Sequence, residues 1–88
     1  MEQFEAKESS NVGWARYYPD RGELEVDFKD KNGVKVSTYV YDGRTEHGAG
    51  EPPVGGFPRD IWEQFKVADS KGRFFAYAIR PKFRGVKK

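Results

Sequence analysis

Arg73, Tyr77 and Arg80 stand at i, i+4 and i+7, a spacing that puts all three on one side of a helix. Guanidinium groups hold phosphate oxygens and a tyrosine ring stacks on a base, so the trio can make a nucleic-acid contact. Lys82, Arg84, Lys87 and Lys88 carry the charge on past Pro81. Residues 71–88 hold seven of the 16 bases and no acid, a net +7 beside a net −5 for residues 1–70. The total of +2 therefore hides a basic C-terminal end, suited to a polyanion or to an acidic protein surface. The plainer account is a solvated helix edge and a basic tail, with Arg80 paired to Asp69 or to an N-terminal glutamate.

Two other groups of residues bear on function. Tyr39 and Tyr41 alternate along one strand and are expected, with Lys35, on the sheet face opposite Val36 and Val40. Such rings resemble the stacking platforms of single-strand binders. Glu23, Glu25 and Asp27 on the adjacent strand would repel phosphate there, so cross-strand pairing with Lys35 is the simpler expectation. The same aromatic surface suits a protein partner. His47, the single histidine, lies beside Glu46 and near Glu51 in a glycine-rich loop; its spacing fits no metal site, and it is assigned with Tyr39 and Tyr41 to the alternative protein contact. Gly55-Gly56 precede a helix, but Pro58 removes an N–H donor and Asp60 adds negative charge, which argues against a phosphate cradle. With no Cys, neither a thiolate site nor a cysteine-ligated zinc is possible. No nucleophile has a base at matching spacing. Catalytic residues, metal ligands and cofactors are therefore expected to be none.

These groups have to be positioned by a small domain. Eighty-eight residues make one domain with a thin stability margin, helped by two Trp, five Tyr and seven Phe. Val12 to Tyr18 is a strand candidate, and Pro19-Asp20-Arg21-Gly22 a strong turn. In Glu23 to Phe28, Leu24, Val26 and Phe28 alternate strictly with acids, the pattern of a half-buried antiparallel strand. Asn32-Gly33 marks a tight reversal into a third strand, Val34 to Tyr41. Five glycines and two prolines make residues 42–57 a long loop. Pro58 to Ala68 reads as a helix with Ile61, Trp62, Phe65 and Ala68 on one stripe. A second helix runs from a cap at Asp69 or Ser70 to about Ile79, and Pro81 ends it. The expected fold is α+β: a three-stranded antiparallel β-meander followed by two α-helices packed on one sheet face. Its expected limits are 9–84, with 1–8 and 85–88 as flexible termini. The N-terminus has no signal-peptide pattern and no segment has membrane-spanning length, so a cytoplasmic location is expected.

Along this framework the chain resembles the KTSC domain family, a small module named for the C-termini of some lysyl-tRNA synthetases and also found as stand-alone bacterial and phage proteins. The resemblance rests on Ser9-Ser10, Leu24-x-Val26-x-Phe28, Gly33, Tyr39-x-Tyr41, Phe57-Pro58, Trp62 and Phe65. Its most specific block is Ala68-x-Ser70-x-Gly72-x-Phe74-Phe75, followed by Ile79-Arg80 and Phe83. It implies a nucleic-acid-associated setting rather than a defined activity. The 42–57 loop is longer than the connection expected of the family. Taken together, the residues and the resemblance point to a non-catalytic module that contacts RNA or single strands through Arg73, Tyr77, Arg80, Lys82, Arg84, Lys87 and Lys88. The alternative is a bacterial or phage-encoded module that binds a host protein through the aromatic sheet face or the 42–57 loop.

Overall fold

A computed structural model describes residues 1–42 and 56–88. Five strands form one antiparallel sheet in chain order: β1 (Glu2–Glu5), β2 (Val12–Tyr18), β3 (Glu23–Lys29), β4 (Lys35–Tyr41) and β5 (Gly85–Lys87). Between β4 and β5 lie α1 (Arg59–Val67) and α2 (Lys71–Phe74), and α2 continues into a π-helical turn, Phe75–Ile79. The α+β class and the three central strands are as the sequence indicates. The sheet is wider than a three-stranded meander, because residues 1–8 and 85–88, expected as flexible termini, contain the paired edge strands β1 and β5.

The central hairpins are set by their turns. In the β2–β3 turn Arg21 N–H donates to Tyr18 O (3.1 Å), and Gly22 takes φ +63°. The β3–β4 turn is knotted by Asp30, whose Oδ1 accepts from the N–H groups of Asn32 (2.9 Å) and Val34 (3.0 Å), with Gly33 at φ +81°. Each hairpin also holds an irregularity. The β2–β3 register shifts between Val12 and Ala15, so Val12, Ala15 and Tyr17 all reach the buried face. The β3–β4 register shifts where Lys29 faces Lys35 but Phe28 faces Ser37, which leaves Val36 as the extra residue.

One face of the sheet meets the helices. Val12, Ala15, Tyr17, Leu24, Val26 and Tyr41 pack there against Phe57, Trp62, Phe65, Phe74, Phe75, Ile79 and Phe83. Phe4 of β1 joins this core, stacking on Trp62 (5.3 Å) and meeting Phe65 edge-on (4.9 Å). Trp62 Nε1–H donates to Glu2 Oε1 at 3.0 Å, and Arg59 holds Glu2 Oε2 at 2.9 Å, so β1 and α1 are fastened together. Phe57 enters the core beside the β2–β3 turn. Its N–H donates to Gly22 O (2.7 Å), and its carbonyl accepts from Tyr17 Oη (3.0 Å). The other sheet face carries no helix among the described residues.

Candidate functional site

The second helix is where the family-like residues meet. Ser70 caps α2, its Oγ accepting from Arg73 N–H at 3.3 Å. Glu8 Oε1 accepts from Lys71 N–H at 3.2 Å. Ser9 Oγ accepts from Val12 N–H (3.0 Å) and donates to Asn11 Oδ1 (2.9 Å). Gly72 sits against this pair: a Cβ there would lie 2.9 Å from both Ser9 Oγ and Asn11 Oδ1. The spacing Ser9…Ser70-x-Gly72 is thus a packing requirement, in which a serine-fastened chain needs a helix without a side chain at its first turn.

The π-helical turn then redirects the residues C-terminal to it. Arg80 N–H bonds Phe75 O at 2.9 Å, a five-residue step in place of the usual four. The added residue turns the rest of the helix by about 100° around its axis. Arg73 and Tyr77 line a shallow cleft of 400 Å³ with Gln64, Val67 and Ser70. Arg80 instead lines a cleft of 340 Å³ with Asn11, Ser37, Tyr39, Tyr41 and Ala76, on the helix side of the sheet. The single Arg73–Tyr77–Arg80 face expected from α-helical spacing is therefore divided in two. Tyr77 is 62% exposed beside Arg73, so the stacking ring and one guanidinium stay together.

The aromatic strand face also differs from expectation. Tyr39 and Tyr41 lie opposite Val26 and Leu24, and so point toward the helices. Tyr41 is buried against Phe75 at 5.6 Å and Tyr39 meets Phe28 at 5.7 Å. The extra residue Val36 reverses the alternation of β4, which a count without it places on the open side. Burial, and secondarily Tyr39, push the Tyr41 hydroxyl up to about 12, with the Arg80 charge acting the other way. Gly85 of β5 lies directly over this ring, since a Cβ there would be 2.6 Å from Tyr41 Cε2.

Carboxylates and cations on the open face pair with each other. Arg16 Nη1 donates to Glu25 Oε1 (3.0 Å) and Arg16 Nη2 to Asp27 Oδ2 (2.7 Å). Thr38 Oγ1 donates to Asp27 Oδ1 (2.7 Å), and Lys88 Nζ to Glu25 Oε2 (2.7 Å). Glu25 and Asp27 are only 7% and 5% exposed. Burial pushes the Asp27 carboxyl up, but its bonds from Arg16 and Thr38 with the Arg16 charge outweigh this and hold it below the usual carboxylate range. Arg16, not Lys35, is the partner these acids hydrogen-bond. The signal was present in the turn, which sets Tyr18 against Glu23 and hence Arg16 against Glu25.

Among the described residues the arginines divide sharply. Arg16 is held by Glu25 and Asp27, Arg21 by Glu23, and Arg59 by Glu2 and Glu63. Arg73, Arg80 and Arg84 have no ion pair to a described carboxylate, nor do Lys82 and Lys87. All five are exposed. Lys88 is the exception in the basic set, bound to Glu25 across the sheet. Arg80 does not make the expected pair with Asp69 or an N-terminal glutamate. His47 and most of the 42–57 loop lie outside the described residues. Among the described residues no group of His, Asp and Glu is placed to hold a metal ion, and no helix is long and apolar enough to cross a membrane.

No protein-family model matches the sequence and no curated protein matches it. Among solved structures the chain is similar to a KTSC domain protein from Yersinia pestis, with a TM-score of 0.71 and 29% identity. The match covers 99% of this chain and 96% of the other.

Proposed function

We propose that this chain, which belongs to the KTSC domain family, is a non-catalytic module that binds single-stranded nucleic acid through its basic C-terminal end. The observation that carries this reading is the division of the arginines. Among the described residues, those before α2 are neutralised by carboxylates of the domain itself, while Arg73, Arg80 and Arg84 are left for an outside anion. Lys82 and Lys87 add to them, and Tyr77 supplies an exposed ring within the Arg73 cleft. A single strand suits a shallow cleft with one stacking ring better than a duplex, which offers no free base face.

The test is a titration with short single- and double-stranded RNA and DNA at two salt concentrations. Single strands are expected to bind with a log–log salt slope of about −0.7 per phosphate contact. Arg73→Glu, Lys82→Glu and Arg84→Glu together should cut affinity at least about tenfold and flatten the slope, since each phosphate contact carries its own share of counterion release. Binding that survives the triple reversal unchanged would refute the reading. A protein partner is the second reading, and a different surface favours it from the one the sequence suggested. Val36 (60% exposed) and Val86 (56% exposed) flank Val40 on the helix-free face, where β4 and β5 pair. Val36→Lys with Val86→Lys should leave strand binding intact and abolish such a protein contact.

A further inference from the structure

The cleft around Arg80 has a chemistry of its own. Its wall is aromatic: Phe28 and Phe75 meet edge-on at 5.2 Å, and Tyr39 and Tyr41 pack against them. Its polar groups are the Arg80 guanidinium, the Tyr39, Tyr41 and Ser37 hydroxyls and the Asn11 side chain. Asn11 has its oxygen occupied by Ser9 Oγ–H, which leaves the amide N–H groups as what it can offer. Among the described residues neither Arg80 nor the two tyrosine hydroxyls make a side-chain hydrogen bond. Among the described residues no carboxylate lines the cleft. A raised Tyr41 hydroxyl stays protonated at neutral pH and remains a donor. Gly85 holds that ring from behind, and the π-helical turn is what brings Arg80 to the same place.

We propose that this cleft is a binding site for a phosphate monoester attached to a flat ring, with Arg80 as the charged anchor. An arginine fork alone satisfies two oxygens, as a carboxylate would present. The hydroxyls and the amide add donors from other directions, which a third phosphate oxygen uses. The volume of 340 Å³ is at the small end of ligand pockets, which run from about 300 to 1,000 Å³, so it takes one such unit and no more. The aromatic wall receives the ring. A free nucleotide and the phosphorylated end of a strand both carry this chemistry.

The experiment is an amide-resolved NMR titration of the full chain with inorganic phosphate, a nucleoside monophosphate, and a short oligonucleotide with and without a 5′-phosphate. Shifts are expected at Asn11, Ala76 and Arg80, stronger with the nucleoside monophosphate than with phosphate. Arg80→Gln should weaken the monophosphate about tenfold or more, and Tyr41→Phe, which keeps the ring packing, severalfold. Equal binding of the free nucleotide and the phosphorylated strand assigns the free nucleotide as ligand; a gain of the phosphorylated strand over both its hydroxyl counterpart and the free nucleotide assigns a strand end. No shift in this cleft up to about 10 mM of any probe overturns the proposal. So do shifts that persist unchanged in Arg80→Gln and Tyr41→Phe. The cleft shares only Arg80 with the strand-binding cations: the Arg73/Lys82/Arg84 reversal leaves Arg80 in place and is expected to leave monophosphate binding intact, so one idea can fail without the other.

Discussion

Asp27 shows how much a single side chain settles in this fold. It is nearly buried on the face without helices, and it is tolerable there because Arg16 and Thr38 together supply its hydrogen bonds. Asp27→Asn should cost about 1–3 kcal/mol, since it leaves the Arg16 guanidinium short of a charged partner. The pH dependence has a definite sign. A carboxyl depressed below its unfolded value of about 4 stabilises fully above that value, and the contribution is lost as pH falls through the lower folded value. Melting temperatures measured from about pH 5 down to about pH 2 should therefore fall less steeply in Asp27→Asn than in the parent. Gly56 is a second such position. Its φ of +73° is strained for other residues, and an added Cβ would lie 2.6 Å from the Gly22 backbone. Gly56→Ala should destabilise by about 2 kcal/mol or more, read by urea denaturation. At this scale the sequence was partly legible. Ser70 as a cap and the buried stripe of Trp62 and Phe65 were visible in residue type and spacing. The Arg16 pairing was recoverable from the turn. The facing of Tyr39 and Tyr41 was not, because one extra valine inverts a period-two pattern without changing composition.

The elements that composition hides are the edge strands. Glu2-Gln3-Phe4-Glu5 and Gly85-Val86-Lys87 are four and three residues long, charged, and too short to show alternation. Short charged edges are how sheets avoid pairing with other chains, so the property that protects them also conceals them. Phe4 nevertheless anchors β1 through two ring contacts and covers part of the core. Phe4→Ala should cost about 2–3 kcal/mol, less than a fully buried phenylalanine, and a urea midpoint measures it. Were β1 only a loose terminus, the midpoint would not move. The second helix was legible as a length of chain but not as a conformation. Its apolar residues Phe74, Phe75, Ala78 and Ile79 are all buried, an i, i+1, i+4, i+5 set that also fits one face of a regular α-helix, so nothing in the pattern announces the wide turn. The wide turn displaces Arg80 from the side that carries Arg73 and Tyr77.

For the whole molecule the distribution of charge matters more than its total. Among the described residues the carboxylates of the body neutralise its arginines, and the arginines without an ion pair all lie after the start of α2. The asymmetry was plain in the sequence, whereas its division among separate surfaces needed the fold. The two tryptophans offer a way to follow binding. Trp62 is fully buried, while Trp14 is partly exposed on the helix-free face. A ligand at the C-terminal end should leave Trp14 quenching by iodide unchanged, and a partner on the open face should suppress it.

The chain-order sheet also bears on how the molecule assembles. β1 through β4 join by successive short connections, the kind of contact that forms early because little loop entropy is lost. β5 must wait for the entire helical segment before it can lie against β4, where Lys88 N–H then reaches Thr38 O at 2.8 Å. The ring of Tyr41, with Gly85 over it, is thus completed by the final strand to arrive. Local opening of that strand, seen as fast amide exchange at Val86 and Lys88, would loosen the aromatic wall of the Arg80 cleft while the remaining hairpins stay closed.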